Sequence, residues 1–339
     1  MRRVVVIGLA RTGTAVARAL AGEGDSVLVV DRNDSDELRR RASELPRGIE
    51  VRLGAYPVDV AAGADLVSPS PGVPWDAPEL AWARAHDIVV RSEMDLVFER
   101  CSARVVGVTG TNGKTTTSAL IAAILERGSG RVLLGGNIGV PVLDRIGDLG
   151  SSDWLVLELS SFQIETVAEP RCTVAAVLNV TPDHLDRHGS FAAYAAIKER
   201  LVRHARGWSV LGYDDQTARA MAQHSSAPVR FFGSELGAHD GATVAGGVVF
   251  AVEGGRTTPV LPVSDIPLFG AHNVANVLAA VAVARAAGMP ADAVAAGVRA
   301  FTPVPHRIEP VRDRDGVLWV NDSKATNAES AIVGLAAFA

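Results

Sequence analysis

The chain has 339 residues, 48% hydrophobic and 21% charged, enough for two or three domains with sizeable cores. A net charge of −5 and a pI near 5.9 leave no basic stripe, which argues against an extended nucleic-acid surface. A small anionic ligand stays open, because loops and helix ends bind anions without a basic protein.

The N-terminus, "MRRVVVIGLARTG", imitates a signal peptide only briefly: Arg11 and Gly13 cut the apolar run and no small-residue cleavage site follows. No apolar stretch reaches the ~18 residues of a membrane helix. Cys101 and Cys172 show neither C-x-x-C nor zinc spacing, so a reduced, cytoplasmic protein is the simplest reading.

The first ninety residues alternate strand and helix signals. "RVVVIG" reads as a buried strand, "GTAVARALAGEG" as a helix ending at glycine, and "SVLVVD" as a second strand. "ADLVSPSPGVP" gives a short strand running into a Pro/Gly turn, and "DIVVRSE" closes the segment. This alternation predicts a parallel, doubly wound α/β sheet. A second unit starts near residue 93, with a strand and loop over 104–113 and a helix over 114–127. Strands follow at "DWLVLELS" and "TVAAVLNV", then a hairpin turning at Gly254-Gly255. Ala-rich helices are predicted over 271–287 and 291–300. A third segment opens at the linker "TPVPHR" and supplies one strand, "GVLWVNDSK", and the start of a helix. The domains expected are therefore 1–92, 93–302 and 303–339. Thirty-odd residues cannot bury a core alone, so the third segment either packs on the second domain or is a piece of a longer protein.

Gly8-Leu9-Ala10-Arg11-Thr12-Gly13 is a G-x-A-x-x-G relative of the dinucleotide fingerprint, placed between a strand and a helix. Backbone N–H groups and the helix dipole favour a phosphate there, and Asp31 at the end of the second strand would accept a ribose hydroxyl. NAD fits less well, since Ala10 replaces the glycine that lets the backbone approach a pyrophosphate. The same turn is also what tight strand–helix packing requires.

The second turn is Gly110-Thr111-Asn112-Gly113-Lys114-Thr115. The pattern G-x-x-x-x-G-K-[ST] fails, because Val108 stands where the first glycine belongs. The glycines nevertheless allow inward-pointing N–H groups, Lys114 would neutralise β- and γ-phosphate oxygens, and the Thr115 hydroxyl suits magnesium. A lysine at a helix start is slightly unfavourable against the dipole, which counts against a purely structural role.

Glu158 interrupts the otherwise buried strand of "LVLELSSFQ", where a carboxylate is expensive unless paired or on a metal. In "NVTPDHLDRHG", Asp183, His184, Asp186 and His188 crowd a loop after a strand, the usual ligand crevice of an open sheet; His184 is the candidate ligand. For each of these, a solvated loop side chain is an equal alternative. Lys198, on a helix, reads from spacing alone as surface. Asn273 and Asn276 share a helix face at i and i+3, although Asn273 also suits a cap. Arg307, Asp322 and Lys324 lie around a strand end where charges would grip phosphate or ribose.

Taken in order, "GVTGTNGKTT", "GGNIG", "LELSSFQ", "NVTPDHLDRH", "HNVAN" and "PHR…NDSKATN" resemble the Mur ligase family over the whole chain. "SSFQ" and "NDSKATN" resemble its D-glutamate-adding branch. The resemblance implies a Rossmann-like N-terminal domain, a P-loop-type central ATPase domain with a parallel sheet, and the start of a third α/β domain. It also implies an ATP-dependent ligase: ATP phosphorylates the carboxylate of UDP-N-acetylmuramoyl-L-alanine, and the amine of D-glutamate displaces phosphate. By matched motif, the loop Gly110, Thr111, Asn112, Gly113, Lys114, Thr115, Thr116 and Thr117 would hold ATP. Asn273, Asn276, Arg307, Asp322 and Lys324 would complete that site. Thr115, Glu158 and His184 would ligate magnesium, two ions in all, with Lys198 carried as a bridging carbamate. Lys114, Lys198, His184 and Glu158 would be the catalytic group, and Asn137 and His184 would face the muramoyl-alanine end. Gly8–Gly13, Asp31, Arg32 and Ser70-Pro71-Gly72 would hold the uridine diphosphate. A cytoplasmic monomer is expected, with no nucleic-acid partner, and a chain with so short a third segment is expected to turn over poorly. Three rivals remain at this point. They are an NAD oxidoreductase using the first glycine turn, a nucleotide-retaining module without catalysis, and a folylpolyglutamate-synthase-like ligase.

Overall fold

The computed structural model describes residues 1–139, 141–325 and 328–338. Thr326 and Asn327, the end of the "NDSKATN" segment, lie outside the described residues. The chain divides into two compact units. The first comprises residues 1–102, 139–150 and 162–170; the second comprises 103–138, 151–161 and 171–339. Glu93–Ser102 therefore groups with the first unit, and residues 303–339 group with the second.

In the first unit, β1 (Arg3–Ile7), α1 (Arg11–Gly22), β2 (Ser26–Asp31), α2 (Asp36–Ser43) and β3 (Glu50–Leu53) lead to β4 (Leu66–Pro69), α3 (Pro78–Ala85), β5 (Val89–Val90) and α4 (Glu93–Arg100). The sheet is parallel throughout, in the order β3-β2-β1-β4-β5. Its inner strands are valine-rich and buried on both faces, as helix-covered parallel strands are. The strand order reverses between β1 and β4, so the C-terminal ends of these two strands bound the crevice where such sheets bind ligands.

The second unit runs β6 (Arg104–Thr109), α5 (Lys114–Leu125), β7 (Val132–Gly136), β8 (Trp154–Glu158), α6 (Ser161–Thr166, mostly grouped with the first unit), β9 (Val174–Val177), α7 (Leu185–His188) and α8 (Phe191–Arg203). It continues with β10 (Trp208–Gly212), α9 (Gln216–Ala220), β11 (Val229–Gly233), β12 (Gly241–Ala245), β13 (Val248–Glu253), β14 (Arg256–Pro262), α10 (Ala271–Ala286) and α11 (Ala291–Arg299). The nine-stranded sheet has the order β14-β13-β12-β11-β10-β9-β6-β8-β7. It is parallel from β12 to β7, with β13 and β14 added antiparallel. The β13–β14 turn is at Gly254-Gly255, both at positive φ as a two-residue hairpin requires. Helix α5 packs on the sheet and against α10 and α11, and the core joins Ile121, Ile124 and Leu125 to Val277, Val281 and Val298.

Strands β10 and β11 escape sequence reading because "WSVLG" and "VRFFG" are too short to show a period. The third segment contains a strand that the sequence reading lacks. There, β15 (Glu309–Arg314) pairs antiparallel with β16 (Val317–Asn321), and α12 (Ala328–Ala336) follows.

Candidate functional site

Three strand ends build the centre of the second unit. Strand β6 lies between β8 and β9, and the chain leaves it toward one side and returns on the other. The loops after β6, β8 and β9 therefore meet at one edge.

The loop after β6 is stitched to the loop after β9. Asn112 N–H donates to Asn179 Oδ1 at 2.8 Å, and Asn179 Nδ2 donates back to Asn112 O at 3.1 Å. Thr111 Oγ1 accepts from Thr181 N–H at 3.0 Å and donates to Thr181 O at 3.1 Å. Gly113 is the N-cap of α5 at φ +84, and a Cβ there would lie 2.3 Å from Asn276 Oδ1, so only glycine fits. The first turn of α5 carries no side-chain cap and no acidic residue, which leaves its N–H groups and dipole for an anion.

Two ammonium groups converge on this loop. Lys114 Nζ donates to Gly110 O at 2.9 Å and to Thr111 O at 2.8 Å. Lys198 Nζ shares Gly110 O at 2.9 Å and lies 4.5 Å from the Tyr194 ring centroid. Burial lowers the Lys114 pKa against the attraction of Glu158 and Asp183. For Lys198, burial and then the charge of Lys114 bring it down to about 7. The surface position that spacing alone gave Lys198 is overturned: the side chain is 1% exposed, because α8 packs that face against β9.

Glu158 ends β8, 1% exposed. Oε1 accepts from Asn137 Nδ2 at 2.9 Å, while Oε2 has no hydrogen-bond partner among the described residues. His184 is exposed, with φ +50, and its Nε2 lies 3.6 Å from Asp183 Oδ2. Among the described residues no three His, Cys, Asp or Glu side chains cluster as a metal cage.

A cleft of about 400 Å³ opens beside the loop, lined by Asn112, Gly113 and Thr116 together with Asn273, Asn276, Arg307, Asp322 and Lys324. Asn276 Nδ2 donates to Asn273 Oδ1 at 2.9 Å, and Thr117 Oγ1 donates to Asn276 Oδ1 at 3.2 Å. Arg307 Nη2 reaches Thr115 Oγ1 at 3.0 Å across 192 residues of sequence. Gly270, not Asn273, is the N-cap of α10 and has no side-chain capping bond. Asn273 sits in the first turn, donates from Nδ2 to Phe269 O at 2.8 Å and lines the cleft, so the capping alternative left open by spacing is not the one formed. Asn179, Tyr194 and His272 also belong to this region and are not among the residues singled out from sequence. The only sequence signal for Tyr194 is its i−4 spacing from Lys198.

In the first unit, Gly8 sits at φ +96, and a Cβ on Gly13 would lie 1.9 Å from Gly8 O. Ser70 Oγ donates to Gly8 O at 2.9 Å, tying the β1 and β4 ends together. The Leu9 side chain is fully buried, so only its backbone faces the turn. Its N–H donates to Asp31 Oδ2 at 2.9 Å, and Asn33 N–H donates to Asp31 Oδ1 at 2.9 Å. Asp31 thus braces the turn with both oxygens. Ala10 caps α1 with no side-chain bond, Ala10, Arg11, Pro71 and Gly72 are exposed, and Thr12 is half-buried.

The Mur ligase middle-domain profile matches residues 108–284, and the profile of the MurD-like N-terminal domain matches residues 2–92. The chain belongs to the Mur ligase family. A UDP-N-acetylmuramoylalanine–D-glutamate ligase of Acidobacterium capsulatum is 42% identical over 99% of this chain and 74% of its own length. One of the same name from Gloeobacter violaceus is 44% identical over 99% and 75%. Among solved structures, a UDP-N-acetylmuramate:L-alanyl-gamma-D-glutamyl-meso-diaminopimelate ligase of Neisseria meningitides aligns with TM-score 0.62 at 22% identity, covering 90% of this chain and 99% of that one. A MurF ligase of Thermotoga maritima in complex with ADP aligns with TM-score 0.58 at 20% identity, covering 92% and 71%. These two alignments support the family's fold.

Proposed function

We propose that the chain is the ATP-dependent ligase that joins D-glutamate to UDP-N-acetylmuramoyl-L-alanine, in peptidoglycan precursor synthesis. The observation that carries this reading is the stitched loop at 110–113, with the half-buried Lys114 and the buried Lys198 at its carbonyls and a cleft lined by Asn273, Asn276, Arg307, Asp322 and Lys324. Relatives at 42% and 44% identity that bear this ligase's name support the substrate assignment. By function, residues 1–92 would hold the uridine nucleotide, 93–302 would hold ATP, and 303–339 would belong to the amino-acid-binding domain.

The reaction needs positioning and charge neutralisation more than acid–base chemistry. The α5 N-terminus and the loop N–H groups take the phosphates. Lys114 exchanges its contacts to Gly110 O and Thr111 O for β- and γ-phosphate oxygens, and Arg307 exchanges Thr115 Oγ1 for phosphate. The substrate carboxylate oxygen attacks the γ-phosphorus and ADP leaves. The amine of D-glutamate then attacks the acyl carbon, loses a proton, and phosphate departs as the amide forms. Asn137 and His184 would orient the muramoyl-alanine end.

The donor set fits magnesium, which takes hard oxygens and keeps several waters and phosphates. Glu158 Oε2 is buried with no partner among the described residues, and the Thr115 hydroxyl stands at the start of α5. Bound there, magnesium would neutralise charge on the transferring phosphoryl group. His184 would add one ligand. Lys198, brought to about 7, is about half neutral amine near pH 7, the form that would add to carbon dioxide and release a proton, giving a carbamate oxygen donor.

The test is phosphate release by the purified chain with ATP, magnesium and UDP-N-acetylmuramoyl-L-alanine, followed to long times at high protein concentration because slow turnover is expected. Release that depends on D-glutamate, and not on L-alanine or L-lysine, is expected. ADP formation indifferent to the amino acid would overturn the assignment. The rival oxidoreductase reading leaves the loop at 110–115, Glu158 and Lys198 without a role.

A further inference from the structure

Arg32 follows the last residue of β2 and is held from two sides. Its guanidinium carbon lies 4.8 Å from the Tyr56 ring centroid, and Nη2 donates to Glu79 Oε2 at 3.1 Å. The Tyr56 hydroxyl donates to the other carboxylate oxygen, Glu79 Oε1, at 3.0 Å. These side chains come from three places: the end of β2, the loop after β3, and the first turn of α3. The Glu79 side chain is 3% exposed, whereas that of Arg32 is 55% exposed.

This asymmetry is costly as a stability device. A buried carboxylate needs strong compensation, and a half-exposed guanidinium returns little. What the arrangement secures is one orientation of Arg32, stacked on an aromatic face and pinned at one nitrogen. One of its five N–H donors is engaged in a described hydrogen bond. The site lies one strand from the Gly8 turn, to which β2 is tied by Asp31 and Leu9. In sheets of this order, the end of the second strand meets the nucleoside rather than the phosphates.

We infer that Glu79 and Tyr56 are positioning residues, which hold Arg32 so that its remaining donors meet acceptor oxygens of the uridine nucleoside. The inference rests on the reading of Gly8–Gly13 as the uridine-nucleotide turn. Neither Glu79 nor Tyr56 touches the substrate in this account; both act through Arg32.

The experiment is calorimetric titration of UDP into the wild-type chain, Arg32→Ala, Glu79→Gln, Tyr56→Phe and the Arg32→Ala/Glu79→Gln double variant. ATP–magnesium affinity and melting temperature serve as controls. Loss of one oriented hydrogen bond predicts about 3- to 10-fold weaker UDP binding for Glu79→Gln and Tyr56→Phe. In the Arg32→Ala background Glu79→Gln should cost nothing further, because its effect passes through the arginine. ATP affinity should be unchanged throughout. Equal losses with and without Arg32, or UDP binding by both single variants within twofold of wild type, would overturn the inference while leaving the uridine turn intact. Absence of UDP binding by the wild-type chain would sink the turn's assignment and the inference with it. Tyr56→Phe keeps the ring and its packing, so it decides the matter if Glu79→Gln fails to fold.

Discussion

At Lys114 and Glu158 charge is drawn out of water with incomplete compensation from the fold. Lys114 is a half-buried cation resting on carbonyls of its own loop, and one Glu158 carboxylate oxygen has no hydrogen-bond partner among the described residues. Such groups are costly until a ligand compensates them. Lys114→Ala should abolish ATP binding while UDP affinity stays within twofold of wild type, measured by titration of each nucleotide. Parallel loss of both would refute the division into two nucleotide sites. Glu158→Gln keeps the acceptor for Asn137 and removes the charge. In excess magnesium it should bind ATP about tenfold or more weakly than wild type, and equally well once EDTA removes the metal. A deficit that persists in EDTA would place Glu158 in folding rather than on the ion.

Among the elements, α4 shows how local capping and burial compete. Ser92 and Asp95 form a full capping box, with Ser92 N–H donating to Asp95 Oδ2 at 3.0 Å and Asp95 N–H donating to Ser92 Oγ at 3.1 Å. The other Asp95 oxygen accepts from Ala168 N–H at 2.8 Å, within the same unit. Glu93, at the first helical position, gains from the dipole only if it stays ionised. Burial, with the negative charge of Asp144, instead raises it to about 7. Its folded pKa stands above the unfolded value, so the native chain binds the extra proton between roughly pH 4.5 and 7. Stability from this group is full below that window and is lost as pH rises through about 7. Glu93→Gln should therefore flatten the fall in melting temperature between pH 5 and pH 8. An unchanged slope would assign the pH dependence to other carboxylates.

For the whole molecule, the two compact units carry one candidate nucleotide site each: the Gly8 turn in the first, and the Gly110 loop with its cleft in the second. Among the described residues no helix is long and apolar enough to cross a membrane. Ligands that bind only the folded state raise the melting temperature by mass action. UDP-N-acetylmuramoyl-L-alanine and ATP with magnesium should each raise it, by about 2.7 kcal/mol of added stability at a hundred times their Kd, and NADH should not. A shift with NADH alone would return the first glycine turn to a dehydrogenase.

Much of this protein is legible from its residues in order. Strand and helix periodicity place β1, α1, β2, β6, α5, α10 and α11, and the glycine turns fall where a strand hands over to a helix, because local sterics decide both. Lys114 and Thr115 declare themselves through neighbours within a few residues. Lys198 does not: helical spacing reads it as surface, and only the packing of α8 on β9 buries its amine beside Gly110. Nor does spacing bring Arg307 to Thr115, pair Asn112 with Asn179, or set Glu79 beneath Arg32. These contacts are made by strand order and by loops distant in sequence, and burial, which sets the energetic value of a charge, exists only once the sheets have closed over it.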